Sequence, residues 1–341
     1  MIKSTLSILI ISSLLLFTAC GSSTSGGSSS TISNQNNIPI INTNFSNFSL
    51  LENNGTTSYD ISISDIYGDK LTLSIESNNT NILTVTKNFI NPLLQANYNG
   101  QTLSFNLTTE QNASGVVRIT ITVDDGDKNS TTSFDVNVTK IFRSGDKWKG
   151  FEYNTITSQV TNRVWLDRNL GASQACTQLD DSACFGDYYQ WGRNTDGHEK
   201  SNSKLVNQEV SISVNSGYFV AGVVSGEWAR EDSNGSIRST NWSKIDGTSI
   251  CPVGYRVPTR DEFVKENIIS RGQAYSSVLK FPSAGYREIS RGDFVDLNSL
   301  GYLWSSSPDA DEAEYFTFTQ TSAGMHTKSR ANGIPVRCVK H

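Results

Sequence analysis

A chain of 341 residues with 36% hydrophobic and 18% charged residues has the size and composition of about two globular domains. This composition excludes a disordered chain and a protein with many membrane spans, and the net charge of −5 excludes a basic nucleic-acid-binding surface. Only three histidines are present for proton transfer near neutral pH, so the sequence favours a binding protein over an enzyme.

Residues 1–19 have the layout of an export signal. Lys3 precedes an apolar run at residues 6–17 that is too short to span a bilayer. The run ends Phe17-Thr18-Ala19-Cys20, which resembles the bacterial lipoprotein signal, in which the cysteine is acylated and becomes the mature N-terminus. The resemblance implies palmitate or a similar chain on Cys20. The alternative is an ordinary secretory signal with an incidental Cys20, and both interpretations place the protein outside the cytoplasm.

Residues 20–36 are a predicted tether, because residues 21–30 are all Gly, Ser or Thr and have no apolar surface to bury. Each buried methylene of an acyl chain contributes about 0.8 kcal/mol, so two or more chains on Cys20 would hold the protein at the membrane. Gly21 follows the cysteine, and by resemblance to lipoprotein sorting rules this predicts the outer membrane. We therefore expect a lipid-anchored protein of the cell envelope.

The first domain is predicted at residues 37–140, where apolar and polar residues alternate in short stretches that are typical of strands buried on one face. The clearest stretches are residues 61–63, 71–75, 117–123 and 134–138. The Asp-Asp-Gly-Asp sequence at residues 124–127 predicts the turn of a hairpin between the last two. We expect an all-β sandwich of roughly seven strands.

This domain resembles bacterial cadherin-like and immunoglobulin-like repeats at residues 65–69 and 122–127. The resemblance implies a spacer and a calcium site at one end of the sandwich, since Ca²⁺ takes about six to eight oxygen ligands. The candidate ligands are Glu52, Asp65, Asp69, Asp124, Asp125 and Asp127. The alternative is that these residues only form tight turns, in which Asp and Gly are common.

A second domain is predicted at residues 141–341, which contain all six tryptophans and every cysteine except Cys20. The remaining cysteines of an exported protein predict two disulfides, for which three pairings exist. The short spacing of Cys176 and Cys184 favours a local bridge and leaves Cys251 to pair with Cys338. A zinc site is the weaker alternative, because no Cys-x-x-Cys occurs.

One helix and several strands are predicted in this second domain. Thr259 and Glu262 form a capping box that predicts a helix over residues 260–270. The strand-like segments are residues 164–166, 278–281, 302–304, 315–318 and 336–339. The pattern predicts an α+β domain with much irregular chain.

Six motifs, taken in order over residues 141–341, resemble the Fibrobacter succinogenes major paralogous domain. They begin at Val164, Tyr188, Cys251, Phe281, Leu303 and Pro335 and read VWLDRNLG, YYQWGR, CPVGYRVPT, FPSAGYR, LWSSS and PVRCVK. The resemblance implies a C-type lectin-like fold, more distantly similar to formylglycine-generating enzymes, and it implies no particular activity. The calcium-binding motifs of sugar-binding C-type lectins are absent, so calcium-dependent sugar binding is not expected.

The polar loops at residues 194–207 and 225–248 are the predicted ligand-binding surface, because aromatic residues beside polar groups are common in binding sites. The candidate residues are Tyr218, Trp228, Trp242, Asp309, Asp311, Glu312 and Glu314. The alternative is that the aromatic residues fill the interior of their loops, because Trp is highly buried on average. The arginines of the motifs are expected to be structural.

Six asparagines lie in acidic-x-Asn-x-Ser/Thr sequences, which resemble the extended acceptor of bacterial N-glycosylation. They are Asn54, Asn78, Asn112, Asn129, Asn137 and Asn234. The alternative is that surface turns rich in Asn, Ser and Asp produce the pattern without any attached sugar.

Three functions are compatible with the sequence. The favoured one is a displayed binding or adhesion module whose ligand is a glycan, cell-wall material or a protein. The alternatives are a structural protein of the envelope and, with less support, an enzyme on a scaffold like that of formylglycine-generating enzymes.

Overall fold

The computed structural model describes residues 38–65, 70–93 and 102–341. The predicted export signal, Cys20 and the tether lie outside these residues. The described chain is mostly β-strand, arranged in several sheets with few helices. Within it, no helix combines the length and the apolar character that crossing a membrane would need.

The described residues up to 140 form eight strands. They are β1 (Ile40–Ile41), β2 (Phe48–Leu51), β3 (Thr56–Ser64), β4 (Thr72–Ser77), β5 (Leu83–Lys87), β6 (Thr102–Thr109), β7 (Gly115–Asp124) and β8 (Asn129–Thr139). One four-stranded sheet has the order β1-β3-β6-β5 and the other β2-β8-β7-β4. All neighbouring strands are antiparallel except β2 and β8, which are parallel.

The two sheets bury their inner faces against each other. Ile61 and Ile63 of β3 share one apolar core with Ile119 and Ile121 of β7, and all four side chains are fully buried. The intervening residues of each strand face outward, which is the alternation expected of a half-buried strand. The predicted β-sandwich and its β7–β8 hairpin are therefore confirmed.

The rest of the chain consists of short strands, three short helices and irregular segments. The strands are β9 (Lys147–Trp148), β10 (Phe151–Glu152), β11 (Thr155–Thr157), β12 (Val164–Leu166), β13 (Tyr189–Gln190), β14 (Leu205–Val206), β15 (Phe219–Val220), β16 (Tyr255–Arg256), β17 (Tyr286–Arg287), β18 (Phe294–Val295), β19 (Gly301–Asp309), β20 (Glu312–Phe318), β21 (Ala323–Ser329), β22 (Gly333–Ile334) and β23 (Val339–Lys340). The helices are α1 (Ser236–Trp242), α2 (Arg260–Lys265) and α3 (Arg271–Ser276).

Both predicted disulfides are present in this second part. Cys176 bonds to Cys184, and Cys251 bonds to Cys338. The second bond lies in the main apolar core, beside Trp191 and Trp242, and it connects the last segment of the chain to the segment before β16. The bond therefore fixes the terminal strand β23, which pairs with both β12 and β16.

The predicted elements of this part are partly wrong. The capping box at Thr259 is present, but α2 ends at Lys265 because Asn267 adopts a left-handed conformation with φ of 53°. Residues 278–281 form a turn after α3 instead of a strand, although Leu279 and Phe281 are buried. Residues 336–338 precede β23 as irregular chain.

That irregular segment contains a buried arginine that joins it to its surroundings. The guanidinium of the fully buried Arg337 donates hydrogen bonds to the carbonyls of Leu166 and Leu279 and to the side-chain oxygen of Asn169. These bonds add to the backbone hydrogen bonds that the carbonyls of the segment accept, as expected for a structural motif arginine.

The sandwich and the second part meet at a buried carboxylate. Glu52, at the end of β2, is fully buried, and its Oε1 accepts hydrogen bonds from the backbone N–H of Ile141 (2.8 Å) and from the guanidinium of Arg143 (2.6 Å). Arg143 also donates to the side-chain oxygen of Asn112 at 3.0 Å. These contacts restrain the chain as it leaves the sandwich.

Candidate functional site

The most prominent feature of the second part is a cluster of arginine and tryptophan side chains in cation–π contact, which we call the arginine–tryptophan stack. The guanidinium of Arg238 lies 5.6 Å from the ring centroids of both Trp191 and Trp228. Arg330 lies 5.1 Å from the centroid of Trp191, and Arg193 lies 5.1 Å from that of Trp228. Cation–π contacts of this kind are stronger when they are shielded from water, as here.

Glu227 neutralises two of these arginines. Its Oε2 pairs with Arg238 at 2.6 Å and its Oε1 with Arg330 at 2.7 Å, and both guanidinium groups are fully buried. Asp232 provides a second carboxylate for Arg238 at 3.2 Å. Gly192 is required beside this stack, because a Cβ at that position would lie 2.3 Å from the Cβ of Arg238.

Helix α1 begins where the chain folds back over this stack. The side chain of Asp232 accepts hydrogen bonds from the backbone N–H groups of Ile237 and Arg238, and Gly235 supplies the left-handed turn with φ of 74°. The inner face of the helix buries Arg238 and Trp242. Its outer face therefore turns Ile237, which is 58% exposed, towards solvent.

A groove with a volume of about 570 Å³ lies between this outer face and two loops. Its walls are residues 192–196 after β13, residues 212–215, and the face of α1 that continues to Lys244. Trp228 and Arg193 of the arginine–tryptophan stack form part of its lining, although both are almost fully buried. We call this site the α1 groove.

The lining of the α1 groove is mostly uncharged. Its polar side chains are Asn194, Ser213, Asn215, Ser236, Thr240 and Asn241, and its aliphatic side chains are Ile212, Val214 and Ile237. The amide of Asn241 donates to the side-chain oxygen of Asn194 at 2.8 Å and to the carbonyl of Gly192 at 3.2 Å, which joins α1 to the opposite wall.

Two of the charged side chains in the lining are paired with each other. Arg193 pairs with Asp196 at 2.7 Å, and it also donates to the side chain of Gln190 and to the carbonyl of Tyr218. Its Nε is buried and has no hydrogen-bond partner among the described residues. Burial lowers the pKa of Arg193, and the charge of Asp196 opposes this shift.

The structure corrects the predicted roles of the two tryptophans. Trp228 and Trp242 are 1% and 0% exposed, and their indole N–H groups donate to the carbonyls of Trp191 and Arg193. They support the groove from below, because their indoles pack inside the loops as the alternative interpretation held. Tyr218 is 44% exposed, but it lies outside the groove lining.

The predicted acidic residues lie in the β19–β20 hairpin and do not line the groove. Asp309 and Asp311 are exposed at its tip, Glu312 accepts a hydrogen bond from Thr327, and Glu314 pairs with Arg260 at 3.0 Å. The structure therefore does not bring these carboxylates together with the aromatic residues. Burial raises the pKa of Glu314, and the charge of Arg260 opposes this.

Sequence reasoning found two walls of the α1 groove and missed the third. Asn194 and helix α1 lie in the two polar loops predicted as a binding surface. Residues 212–215 were missed, because their position opposite α1 depends on the fold and not on their own sequence. The only local signal is that aliphatic Ile212 and Val214 alternate with polar residues.

Asp196, His198 and Glu199 form the one group of metal-type ligands that lies close together among the described residues. Both ring nitrogens of His198 are already used, since Nε2 accepts from the N–H of Gln190 and Nδ1 faces Asp196, 2.7 Å away. Burial is the main cause that lowers the pKa of His198 to about 4. His198 is therefore neutral near pH 7, and Asp196 also pairs with Arg193.

The predicted calcium ligands lie at two opposite ends of the sandwich. Asp124, Asp125 and Asp127 surround the β7–β8 turn, where side-chain oxygens of Asp124 and Asp125 accept backbone N–H groups of the same turn. Asp65 follows β3 at this same end, because Ser64 pairs with Ile40 and the neighbouring Pro39 accepts a hydrogen bond from Ser130.

Glu52 lies at the other end of the sandwich, beside Ile141. Strand β8 separates the two ends and is roughly 33 Å long as an extended chain. Its inclusion in the calcium site was wrong, because the length of the sandwich separates it from the other candidate ligands. Asp69 lies outside the described residues. A site built from Asp65 and the turn aspartates stays a prediction.

All six predicted glycosylation asparagines are exposed: Asn54, Asn78, Asn112, Asn129, Asn137 and Asn234. Some of the acidic residues that define the pattern have structural partners, since Glu52 binds Arg143, Asp135 pairs with Arg118 and Asp232 begins α1. Their presence therefore has explanations other than glycosylation, and the modification stays a prediction.

Comparison with known proteins finds no matching family model and no matching curated protein. Among solved structures, a chimeric titin Z1Z2 is 14% identical over 31% of this chain and 97% of its own length, with a TM-score of 0.23. Domains 4 and 5 of the S-layer protein SbsC are 23% identical over 30% of this chain and 54% of theirs, with a TM-score of 0.19.

A third solved structure, an endo-fucoidan hydrolase from glycoside hydrolase family 107, is 16% identical over 40% of this chain and 18% of its own, with a TM-score of 0.24. This chain thus spans about a fifth of that enzyme and about half of the SbsC fragment. Likenesses this weak carry no argument about function.

Proposed function

We propose that this chain is a lipid-anchored protein of the bacterial cell envelope that binds a saccharide in the α1 groove. The β-sandwich acts as a spacer, and the second part is a C-type lectin-like domain related to the Fibrobacter succinogenes major paralogous domain. The anchor is an acyl group on Cys20, and the membrane is the outer membrane. The ligand binds without calcium.

The observation that carries this proposal is the composition of the groove. The amide nitrogen of Asn194 can donate to a sugar hydroxyl, and the side-chain oxygens of Thr240 and Asn241 can accept from one. The hydrogens of Thr240 and Asn241 are already donated within the protein, to carbonyls of Ser236 and Gly192 and to the side chain of Asn194. The aliphatic residues Ile212 and Ile237 offer contact area to the apolar face of a sugar ring. The volume of about 570 Å³ lies within the range of roughly 300–1,000 Å³ that is usual for small-ligand sites.

The support below the groove also favours binding. Arg193 and Trp228 belong to a stack of buried side chains with few alternative rotamers, and Asn241 is bonded across the groove to Asn194. A site that is rigid before the ligand arrives loses less conformational entropy when it binds. The polar loops of the lining are thereby held in one arrangement.

A pair of variants tests the groove. Thr240 lines the groove on α1, whereas Ser243 is exposed at the end of the same helix and lies outside the lining. We expect Thr240→Trp to abolish saccharide binding by the full-length chain, measured on a collection of envelope and extracellular glycans, and Ser243→Trp to leave it unchanged. Equal binding by both variants, with equal thermal stability, would reject the groove as the site.

The anchor has its own test. Replacement of Cys20 by alanine is expected to release the protein from the membrane fraction, and the intact mass of the wild-type protein should exceed that of the polypeptide by its acyl chains. A wild-type protein that remains soluble with the mass of the bare polypeptide contradicts the anchor but leaves the groove unaffected.

A further inference from the structure

The charge of the α1 groove is locally opposite to that of the whole chain. The chain carries a formal net charge of −5. In the lining of the groove, however, Arg193 and Asp196 cancel each other as a buried pair, and Lys244 is the remaining charged side chain. The groove therefore has a local net positive charge.

Lys244 is positioned to meet a ligand. It directly follows the last turn of α1, where its backbone N–H donates to the carbonyl of Asn241, and its side chain is exposed on the groove wall. Lys244 takes part in none of the ion pairs formed within the described residues. Asp246 is the acidic neighbour: its carboxylate accepts hydrogen bonds from the backbone and hydroxyl of Thr248, and it interacts with Lys244 through charge without forming an ion pair.

An exposed ammonium beside a row of amides and hydroxyls is a recognition pattern for one negative charge on a polar, otherwise neutral body. The amide nitrogen of Asn194 and the side-chain oxygens of Asn241 and Thr240 match hydroxyl groups, and Lys244 offers three N–H donors to an anion. A carboxylate accepts such donors in hydrogen bonds that are stronger than those between neutral groups.

We infer that the α1 groove selects saccharides that carry a carboxylate, and that Lys244 is the residue that binds this carboxylate. The inference rests on the proposed saccharide-binding function and adds the class of sugar and the residue that distinguishes it. Neutral saccharides of the same size fit the amide and hydroxyl wall but lack the contact with Lys244.

The test uses pairs of probes that differ only in charge. Hexuronate and N-acetylneuraminate oligosaccharides are each compared with their own methyl esters, in titrations of the full-length chain at low ionic strength. We expect at least one acid to bind about tenfold more tightly than its ester, which is the effect of one charge-assisted hydrogen bond. Added salt should reduce this preference, because Lys244 is exposed.

Three variants assign the preference to one side chain. Lys244→Gln should bind the acid and the ester equally, and Lys244→Arg, which keeps the charge, should retain most of the preference. Lys265→Gln is the matched control, because Lys265 is an exposed lysine at the end of α2 and lies outside the groove. It should behave as the wild-type protein.

The outcomes separate this inference from the proposed function. If the wild-type protein binds acid and ester equally, the acidic-sugar inference is overturned. If Thr240→Trp then abolishes this binding, the saccharide site remains in place. A preference for the acid that persists in Lys244→Gln overturns the role of Lys244. Binding of no acidic probe overturns the inference, and binding of no glycan in the larger collection overturns the proposed function as well.

Discussion

The guanidinium carbon of Arg193 lies 5.1 Å from the centre of the Trp228 ring, at the point where a buried stack of side chains reaches the α1 groove. These two residues therefore belong both to the buried cluster and to the groove. Towards the interior Trp228 also contacts Arg238, and towards solvent Trp228 and Arg193 form part of the groove lining. The geometry of the groove therefore depends on charges that the ligand does not touch.

Glu227 is the residue on which this stack depends most. Glu227→Gln leaves the fully buried Arg238 and Arg330 without the carboxylate that bridges them. We expect the free energy of unfolding of the second part to fall by about 3–5 kcal/mol, the usual effect of removing one partner from a buried ion pair. Denaturant titration followed by tryptophan fluorescence measures the loss.

The matched control is Glu152→Gln, because Glu152 is an exposed residue of β10 that forms none of the ion pairs among the described residues. It should change the free energy of unfolding by less than about 0.5 kcal/mol. A similar small change in Glu227→Gln would show that the bridge contributes little.

The two disulfides are expected to differ in their effect on stability. The bond between Cys251 and Cys338 closes a loop of 87 residues, whereas that between Cys176 and Cys184 closes one of 8. Loop-closure entropy predicts a loss of about 4–5 kcal/mol when the first pair is replaced by alanine and about 2–3 kcal/mol for the second. Thermal and denaturant unfolding of the two double variants compares them, and the reverse order would contradict this entropic account.

His198 gives the second part a pH dependence in the acid range. Burial lowers its pKa from 6.5 to about 4 in the folded state, so the unfolded chain takes up this proton first as pH falls. Stability is therefore fully present above pH 6.5 and decreases towards pH 4, by about 3 kcal/mol in total for this group.

Unfolding free energies of the wild-type protein and of His198→Gln, measured from pH 7 to pH 4, test this contribution. The variant should lack the part of the slope that His198 causes, whatever its stability at pH 7. His326→Gln, at an exposed position of β21, is the control and should keep the full slope. An unchanged slope in His198→Gln would contradict the assignment.

Features that depend on local sequence were predicted well. The alternation of Ile61 and Ile63 with serines is a property of one strand, and it identified β3 and its buried face. The capping box of Thr259 and Glu262 is also local, and it identified the start of α2. The end of α2 was missed, because a left-handed asparagine such as Asn267 has no strong local signature.

The candidate site was predicted only in part, because it is built from distant segments. Trp228 and Arg193 are 35 residues apart in the sequence, and their contact depends on the fold of both loops. A tryptophan in a polar loop has the same sequence context whether its indole is exposed to a ligand or stacked on arginines. Sequence reasoning therefore found the loops but assigned the wrong exposure to Trp228 and Trp242.

The most direct test of saccharide binding in the α1 groove is an NMR titration. A saccharide that has been found to bind is added to the full-length chain while the methyl signals of isoleucine are followed. Ile212 and Ile237 line the groove, whereas Ile63 and Ile119 are buried in the sandwich and serve as internal controls. We predict saturable shifts of the Ile212 and Ile237 signals with no change at Ile63 or Ile119. Binding that leaves Ile212 and Ile237 unchanged would contradict the central claim.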